Sequence, residues 1–163
     1  MIELIPMCEA EFEPFMKISM RSQAQDQVKA GEWKAEEADT HIQKLRQLFL
    51  PEGLNTPKHF FFTLEENEIN QKVGVLWFTI VDQDDSQLFY VMDILIYPEY
   101  RRHGYASQAF LQMETKALEM GINRIGLNVF KHNAPARAMY EKLGYIGSGN
   151  IMTLEIKPKN QIS

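Results

Sequence analysis

The stretch Tyr-Pro-Glu-Tyr-Arg-Arg-His-Gly-Tyr-Ala-Ser, residues 97–107, indicates more about the fold than any other part of this chain. It follows the apolar run 91–96 and precedes the amphipathic segment 106–120, so a strand is predicted to lead through a basic turn into a helix. The first turn of a helix has free backbone N–H groups and a dipole that favours negative charge. Gly104 lets a ligand approach the backbone, and Arg101 and Arg102 add positive charge. The stretch therefore predicts a phosphate-binding turn.

Apolar patterns predict the elements on both sides of this turn. Strands are predicted at residues 1–6, 59–64, 72–81, 88–96, 124–130 and 151–156. Helices are predicted at residues 9–30, 34–50 and 106–120, and a short one is predicted from Asn133 to Leu143. One face of the second helix holds Ala38, Ile42, Leu45 and Phe49, and one face of the third holds Ala106, Phe110, Met113, Ala117 and Met120. The polar turn 65–71 predicts an antiparallel hairpin of the second and third strands.

A second motif lies at residues 133–145, where the sequence reads Asn-Ala-Pro-Ala-Arg-Ala-Met-Tyr-Glu-Lys-Leu-Gly-Tyr. Asn133 is a good N-cap, and Pro135 is tolerated in the first turn of a helix. Seven residues separate Asn133 from Tyr140, which is close to two helical turns. Both side chains are therefore expected to face the same cleft.

The two motifs together resemble those of the GNAT family of N-acetyltransferases. Arg101-x-x-Gly104-x-Ala106 is similar to the family's pyrophosphate motif for acetyl-CoA, and residues 133–145 are similar to its second cofactor motif. The resemblance implies an α/β (α+β) fold with a central mixed, mostly antiparallel sheet of six to seven strands and about four helices. It implies one acetyltransferase domain over residues 1–157, followed by a tail over 158–163.

The resemblance also implies where acetyl-CoA, the co-substrate, is bound. The fourth strand of this family separates from the next one, which frees backbone amides for the thioester carbonyl and the pantetheine arm. The cofactor-binding residues implied here are Ile94, Leu95, Ile96, Arg101, Arg102, His103, Gly104, Tyr105, Ala106, Ser107, Asn133 and Tyr140.

Each of these assignments has an alternative that the sequence leaves open. The fourth strand can be an ordinary, fully paired core strand, because a bulge is not visible in a sequence. Asn133 can serve as a helix cap alone. Tyr140 can be a half-buried helix tyrosine whose hydroxyl is satisfied by water.

Two residues are the candidates for catalysis. The motif match implies that Tyr140 protonates, or donates a hydrogen bond to, the thiolate leaving group. Tyrosine has a pKa of about 10 and a thiol one of about 8.5, so full proton transfer is uphill by about 2 kcal/mol. Some relatives carry a glutamate base five residues before the motif asparagine, but that position is Asn128 here.

Asp93 is the substitute candidate for the general base. It lies in the apolar run 90–96, where a carboxylate is unfavourable unless it is paired or functional. Strand alternation predicts that it shares a face with Val91 and Leu95. Asp93 can instead pair with an arginine or cap a bulge, and a water chain can replace it as the base.

Composition limits the classes of function. The chain has 163 residues and a net charge of −5, which argues against a nucleic-acid partner. Cys8 is its one cysteine, the start of the chain has no signal-peptide pattern, and no apolar run is long enough for a membrane span. We therefore predict a cytoplasmic protein without a membrane partner. The four histidines lack metal-ligand spacing, so no metal is expected.

The sequence thus predicts an N-acetyltransferase that moves an acetyl group from acetyl-CoA to a primary amine by direct transfer in a ternary complex. The acceptor is a small-molecule or peptide amine, and a homodimer is a further possibility. Two rivals remain open at this point. One is a non-catalytic acyl-CoA-binding module, and the other is an unrelated nucleotide-binding domain that uses the same anion site.

Overall fold

The structure is a computed structural model that describes residues 1–147 and 149–157. Within these residues, the alternating and continuous apolar runs form one sheet. Its six strands are β1 (Ile2–Pro6), β2 (His59–Glu66), β3 (Gln71–Gln83), β4 (Ser86–Ile96), β5 (Arg124–Asn128) and β6 (Ile151–Glu155). Their order in the sheet equals their order in the chain. The β4–β5 pair is parallel, whereas β1–β2, β3–β4 and β5–β6 are antiparallel. The predicted mixed, mostly antiparallel sheet is confirmed.

The described residues also form four α-helices, as predicted. They are α1 (Glu9–Lys29), α2 (Ala38–Phe49), α3 (Tyr105–Glu119) and α4 (Ala134–Lys142). The predicted start of the second helix at residue 34 is wrong. The segment Ala35–Glu37 is a 3₁₀ turn, closed by a 3.0 Å hydrogen bond from the Glu37 N–H to the Lys34 carbonyl.

The described chain divides into two compact units. One consists of Met1–Pro6 and the residues from Phe60 onward, and the other of Met7–His59. The single acetyltransferase domain over 1–157 stays a prediction, and the predicted tail 158–163 lies outside the described residues. None of the described helices has both the length and the apolar character that a bilayer span requires.

In the second unit, α1 and α2 each bury one face. The buried residues of α1 are Phe12, Phe15, Met16, Ser19, Met20 and Ala24. Ala38 and Ile42 are buried on α2 as predicted, but Phe49 is 45% exposed. Phe49 is the last residue of α2, so the chain turns away there before the apolar stripe is complete.

In the first unit, α3 supplies the centre of the core. Its Ala109, Phe110, Met113 and Ala117 are fully buried, and they belong to one cluster with Leu76, Phe89, Ile125, Tyr140 and Tyr145. Met120 was predicted on the same face, but it caps the C-terminus of α3 and is 50% exposed. The periodicity therefore predicted the buried face correctly up to the last turn.

The end of β5 also differs from the prediction. The strand was expected to continue to residue 130 but ends at Asn128. The Phe130 carbonyl accepts a 2.9 Å hydrogen bond from the Asn133 N–H, which closes a turn and directs the chain into α4. This early turn brings the second motif close to the end of the paired part of the sheet.

Candidate active site

A β-bulge interrupts β4 at the point where the sequence predicted free amides. Trp77 of β3 pairs with Asp93, but the next residue, Phe78, pairs with Val91, so Met92 is the extra residue on β4. On its other side, β4 pairs with β5 from Phe89 only as far as Val91, which lies opposite Leu127. The pairing of β4 with β5 thus ends at the bulge, and in the described residues no pair joins the two strands beyond Val91.

The bulge corrects the predicted orientation of Asp93. Cross-strand partners lie on the same face of a sheet, and Ile94 pairs with Leu76, a residue of the core cluster. Asp93 pairs with Trp77 and therefore faces the opposite side from Val91. The prediction that Asp93 shares the face of Val91 is wrong, because one inserted residue inverts the alternation.

The amides of β4 beyond the bulge alternate between β3 and the open side. The Tyr97 N–H donates to the Val73 carbonyl at 2.9 Å, and antiparallel alternation then directs the Leu95 N–H toward β3 as well. The N–H groups of Ile94 and Ile96 consequently point away from β3, toward the edge of β4 that is not paired with β5 beyond Val91. Of the three predicted amide donors, this geometry favours Ile94 and Ile96.

Gly74 is a residue of this region that the sequence did not single out. It lies opposite Ile96 on β3, and a Cβ atom added to it would lie 2.1 Å from the Leu95 carbonyl oxygen. No side chain fits there without a shift of the β4 backbone. Gly74 therefore permits the backbones of β3 and β4 to approach closely at the residues whose amides are candidate donors.

The predicted phosphate turn has the conformation of an anion-binding helix start. Arg102 and Gly104 both adopt left-handed backbone angles, with φ of 65° and 76°, and Gly104 caps the N-terminus of α3. A Cβ atom added to Gly104 would meet nothing within 4 Å, so the space above the turn is open. Gln108 fixes the first turn of α3, because its side chain accepts the Ile2 N–H at 2.9 Å. The turn thus fits a phosphate group.

Arg101 links the phosphate turn to the end of β4. Its Nε donates a 3.0 Å hydrogen bond to the Ile96 carbonyl. His103 is held by a 3.0 Å contact between its Nδ1 and the Tyr100 carbonyl, and its ring stacks on Tyr105 with centroids 5.3 Å apart. The remaining members of the predicted turn, Ala106 and Ser107, lie partly exposed in the first turn of α3. The sequence predicted Arg101 only as a charge near phosphate, not as a contact to β4.

Asn133 caps α4, as predicted from its residue type. Its side-chain oxygen accepts the Ala136 N–H at 3.4 Å, and Pro135 lies in the first turn. Asn133 is exposed, so its amide is also accessible to a ligand. Its contact with the pantetheine arm stays a prediction.

Tyr140 is the buried residue of α4. Its side chain is 7% exposed and meets Phe110 edge-on at 5.4 Å between ring centroids. Burial and the negative charge of Asp93 raise the pKa of Tyr140 to about 12. The hydroxyl therefore keeps its proton, and the two predicted catalytic residues lie within electrostatic reach of each other.

Tyr145 adds a second buried hydroxyl that the sequence analysis treated only as the end of a motif. Its ring lies 5.8 Å from that of Tyr140, and its hydroxyl has no hydrogen-bond partner in the described residues. Burial raises the pKa of Tyr145 well above its usual range, and the charge of Glu114 and the neighbouring Tyr140 add to the effect. The folded protein thus contains an unpaired polar atom directly beside the candidate acid.

The Tyr145→Phe variant is expected to be more stable than the parent by about 1 kcal/mol at neutral pH, because an unpaired buried hydroxyl is lost. The pKa of Tyr145 is raised on folding, so the parent loses stability as the pH rises above about 10, where the hydroxyl ionises in the unfolded chain but not in the folded one. The stability advantage of the variant should therefore grow above about pH 10. Urea unfolding at neutral and alkaline pH measures both effects, and a less stable variant at pH 7 would contradict the prediction.

Comparison with known proteins supports a single family. A model of the Acetyltransferase (GNAT) family matches residues 19–145. The uncharacterized N-acetyltransferase YycN of Bacillus subtilis is 34% identical over 155 residues, which cover 95% of this chain and 99% of YycN. The crystal structure of YycN superposes with a TM-score of 0.85 and covers 97% of this chain and 100% of the other.

Two more distant structures share the fold and were solved with ligands. The PaiA N-acetyltransferase of Thermoplasma acidophilum, in complex with coenzyme A, has a TM-score of 0.63 at 16% identity and covers 95% of this chain and 99% of its own. The spermidine N-acetyltransferase of Vibrio cholerae, in complex with CoA and spermine, has a TM-score of 0.66 at 14% identity and covers 94% and 95%. The chain belongs to the GNAT family of acetyltransferases.

Proposed function

We propose that this protein transfers the acetyl group of acetyl-CoA to a primary amine on a small molecule or peptide, by direct transfer in a ternary complex. The observation that carries the proposal is the separation of β4 from β5 after Val91, with Tyr140 buried within electrostatic reach of Asp93. In this proposal the two backbone donors of β4, the proton donor Tyr140 and the candidate base Asp93 act together on one thioester. A fully paired core strand, the alternative reading of the sequence, would leave no amides for a thioester.

The phosphate turn supports acetyl-CoA as the donor. The open space above Gly104 and the positive charges of Arg101 and Arg102 suit a pyrophosphate. Relatives with the same fold have been solved with coenzyme A bound. Arg101 would also help to position the thioester end of acetyl-CoA. Its Nε donates a hydrogen bond to the Ile96 carbonyl, and Ile96 belongs to β4, the strand whose amides would bind the thioester.

The amides of Ile94 and Ile96 would stabilise the negative charge that develops on the thioester oxygen. Both groups point away from β3, and the pairing of residues 94–96 with β3 holds this part of β4 in place before the reaction begins. A preorganised donor of this kind is worth about 3–4 kcal/mol of the activation barrier.

Tyr140 would assist the departure of the CoA thiolate. The amine nitrogen forms a bond to the carbonyl carbon, the carbon–sulfur bond breaks, and the sulfur receives the negative charge. With a pKa of about 12 for Tyr140 and about 8.5 for a thiol, full proton transfer would be uphill by about 5 kcal/mol. The hydroxyl therefore acts first as a hydrogen-bond donor to the developing thiolate, and the proton moves late.

Asp93 would take the proton that the amine loses. Its negative charge is one of the two causes that raise the pKa of Tyr140. When Asp93 accepts the amine proton, that charge disappears, and the pKa of Tyr140 falls toward the value that burial alone sets. Proton uptake at Asp93 thus makes the proton of Tyr140 easier to release at the moment when the thiolate forms.

The Asp93→Asn variant is expected to lose the rise in rate with increasing pH that a carboxylate base produces in the parent. We expect turnover to fall about a hundredfold near neutral pH, since general base catalysis contributes at least that much. Asparagine keeps the size of the side chain, so the fold and the affinity for acetyl-CoA should not change. The pH profile of kcat measures this, and an unaltered profile would exclude Asp93 as the base.

An acceptor screen separates this function from a non-catalytic acyl-CoA-binding module. Acetyl-CoA is mixed with a panel of polyamines, amino acids and peptides, and free thiol is measured over time. We expect thiol release with some amines, whereas binding without any amine-dependent release would favour the module. Polyamines belong in the panel because the relative from Vibrio cholerae was solved with spermine.

The cytoplasm is the location that best fits this activity. Cys8, the one cysteine of the chain, is an exposed free thiol, which suits a reducing compartment. The absence of a metal requirement stays a prediction. Its test is activity that persists in the presence of a chelator.

A further inference from the structure

The second unit contains a groove between α1 and α2. Its volume is about 670 Å³, and all of its lining residues lie between Glu13 and Arg46. Pockets that bind small molecules have volumes of roughly 300–1,000 Å³. The groove is therefore large enough for a small organic ligand.

The floor of the groove is apolar. Met20 and Ala24 of α1 and Ala38 and Ile42 of α2 line it, and each of the four is at most 8% exposed. Two of the four are alanines, so the helices meet there without large side chains that would fill the space. Because these side chains are already nearly buried, the floor offers a ligand with an apolar body a contact surface but leaves little apolar area to remove from water.

The rim of the groove is positively charged. Four cationic side chains line it, Lys17, Arg21, Lys29 and Arg46, against two carboxylates, Glu13 and Asp39. Arg46 is already paired with Glu13. In the part of the chain that the structure describes, Lys17, Arg21 and Lys29 form no ion pair.

This local charge is opposite to that of the whole chain, which is −5. A cationic ligand would be repelled by three unpaired positive charges and attracted by one unpaired carboxylate, whereas an anionic ligand would be attracted by the three and repelled by the one. An ion pair between exposed groups strengthens binding by at most about fivefold, so several cations and the apolar floor must act together.

We propose that the α1–α2 groove is a binding site for a small amphipathic anion, that is, a molecule with an apolar body and one carboxylate or sulfonate group. The apolar body lies on the floor formed by Ala24 and Ala38, and the anionic group faces Lys17 and Arg21. Every residue of the groove lies within 7–59, and no residue of the phosphate turn lines it.

Anilinonaphthalene sulfonate is a suitable probe, because it carries one sulfonate on an apolar ring system and becomes fluorescent in apolar surroundings. We expect saturable binding to the full chain, with the same affinity in the presence of saturating coenzyme A. Arg21→Gln should weaken binding about fivefold. Lys44→Gln is the matched control, because Lys44 is an exposed cation of α2 that does not line the groove, and it should have no effect.

A second measurement does not depend on variants. In amide NMR spectra of the isotope-labelled protein, the probe should shift the signals of residues around Ala24 and Ala38. The proposal is overturned if the shifts fall at residues 101–107 instead, if coenzyme A displaces the probe, or if Arg21→Gln and Lys44→Gln behave alike. Absence of saturable binding would overturn it as well.

Discussion

The Tyr140→Phe variant is expected to turn over about a hundredfold to a thousandfold more slowly than the parent, with little change in its affinity for acetyl-CoA. Phenylalanine keeps the edge-on contact with Phe110 and the buried volume, so only the hydroxyl is lost. In the parent that hydroxyl is protonated, because burial and Asp93 raise its pKa to about 12. The variant therefore leaves the thiolate without its donor but leaves the phosphate turn intact.

Tyr145→Phe is the matched control for this experiment. Both tyrosines are buried and both pack edge-on against Phe110. The Tyr145 hydroxyl has no role in the proposed reaction, so its loss should leave kcat within about twofold of the parent. Thiol release gives kcat, and calorimetric titration gives the affinity for acetyl-CoA. Equal turnover in the Tyr140→Phe variant and the parent would remove Tyr140 from the mechanism.

The Gly104→Ala variant is expected to bind acetyl-CoA at least tenfold more weakly. Alanine adds a methyl group at the point where a phosphate approaches the backbone, and it disfavours the left-handed angle that Gly104 adopts. Turnover at saturating acetyl-CoA should change much less, because Gly104 takes no part in the proton transfers. The effect should therefore appear in Kd and in KM rather than in kcat.

Gly121→Ala offers an unusually close control. Gly121 follows the C-terminus of the same helix, with φ of 75° against 76° for Gly104, and an added Cβ atom meets nothing within 4 Å at either position. Both variants should lose about 1–2 kcal/mol of stability for the same backbone reason. Only Gly104→Ala should lose affinity for acetyl-CoA. Equal affinities in the two variants would show that the turn does not bind the donor.

The parts of the site that depend on local sequence were predictable. The phosphate turn follows from a strand, two arginines, a glycine and a helix in succession, and the cap at Asn133 follows from its residue type. Tyr140 lies about two helical turns after Asn133 and is the buried residue of α4, whereas Asn133 is exposed, so the expectation that both face one cleft stays a prediction. Each of these predictions rests on residues that are close together in the chain.

The parts that depend on strand pairing could not be predicted from the residues of β4 themselves, and the separation of β4 from its neighbour was implied only by the family resemblance. The bulge at Met92 is set by the register of β4 against β3, and no residue of β4 indicates it. It inverts the face of Asp93, so a prediction from strict alternation failed there. The hydrogen bond from Arg101 to Ile96 and the requirement for Gly74 arise for the same reason, since both depend on how the end of β4 is held in three dimensions.

The most direct test of amine acetylation is a product measurement with acetyl-CoA that carries a labelled acetyl group. The protein is incubated with the labelled donor and the best acceptor from the screen, and mass spectrometry quantifies the acetylated amine and the free coenzyme A. We predict one labelled N-acetyl product per coenzyme A released, no product without the amine, and no acetylated form of the protein as an intermediate. Tight binding of acetyl-CoA without a labelled amine product for any member of the panel would contradict the account.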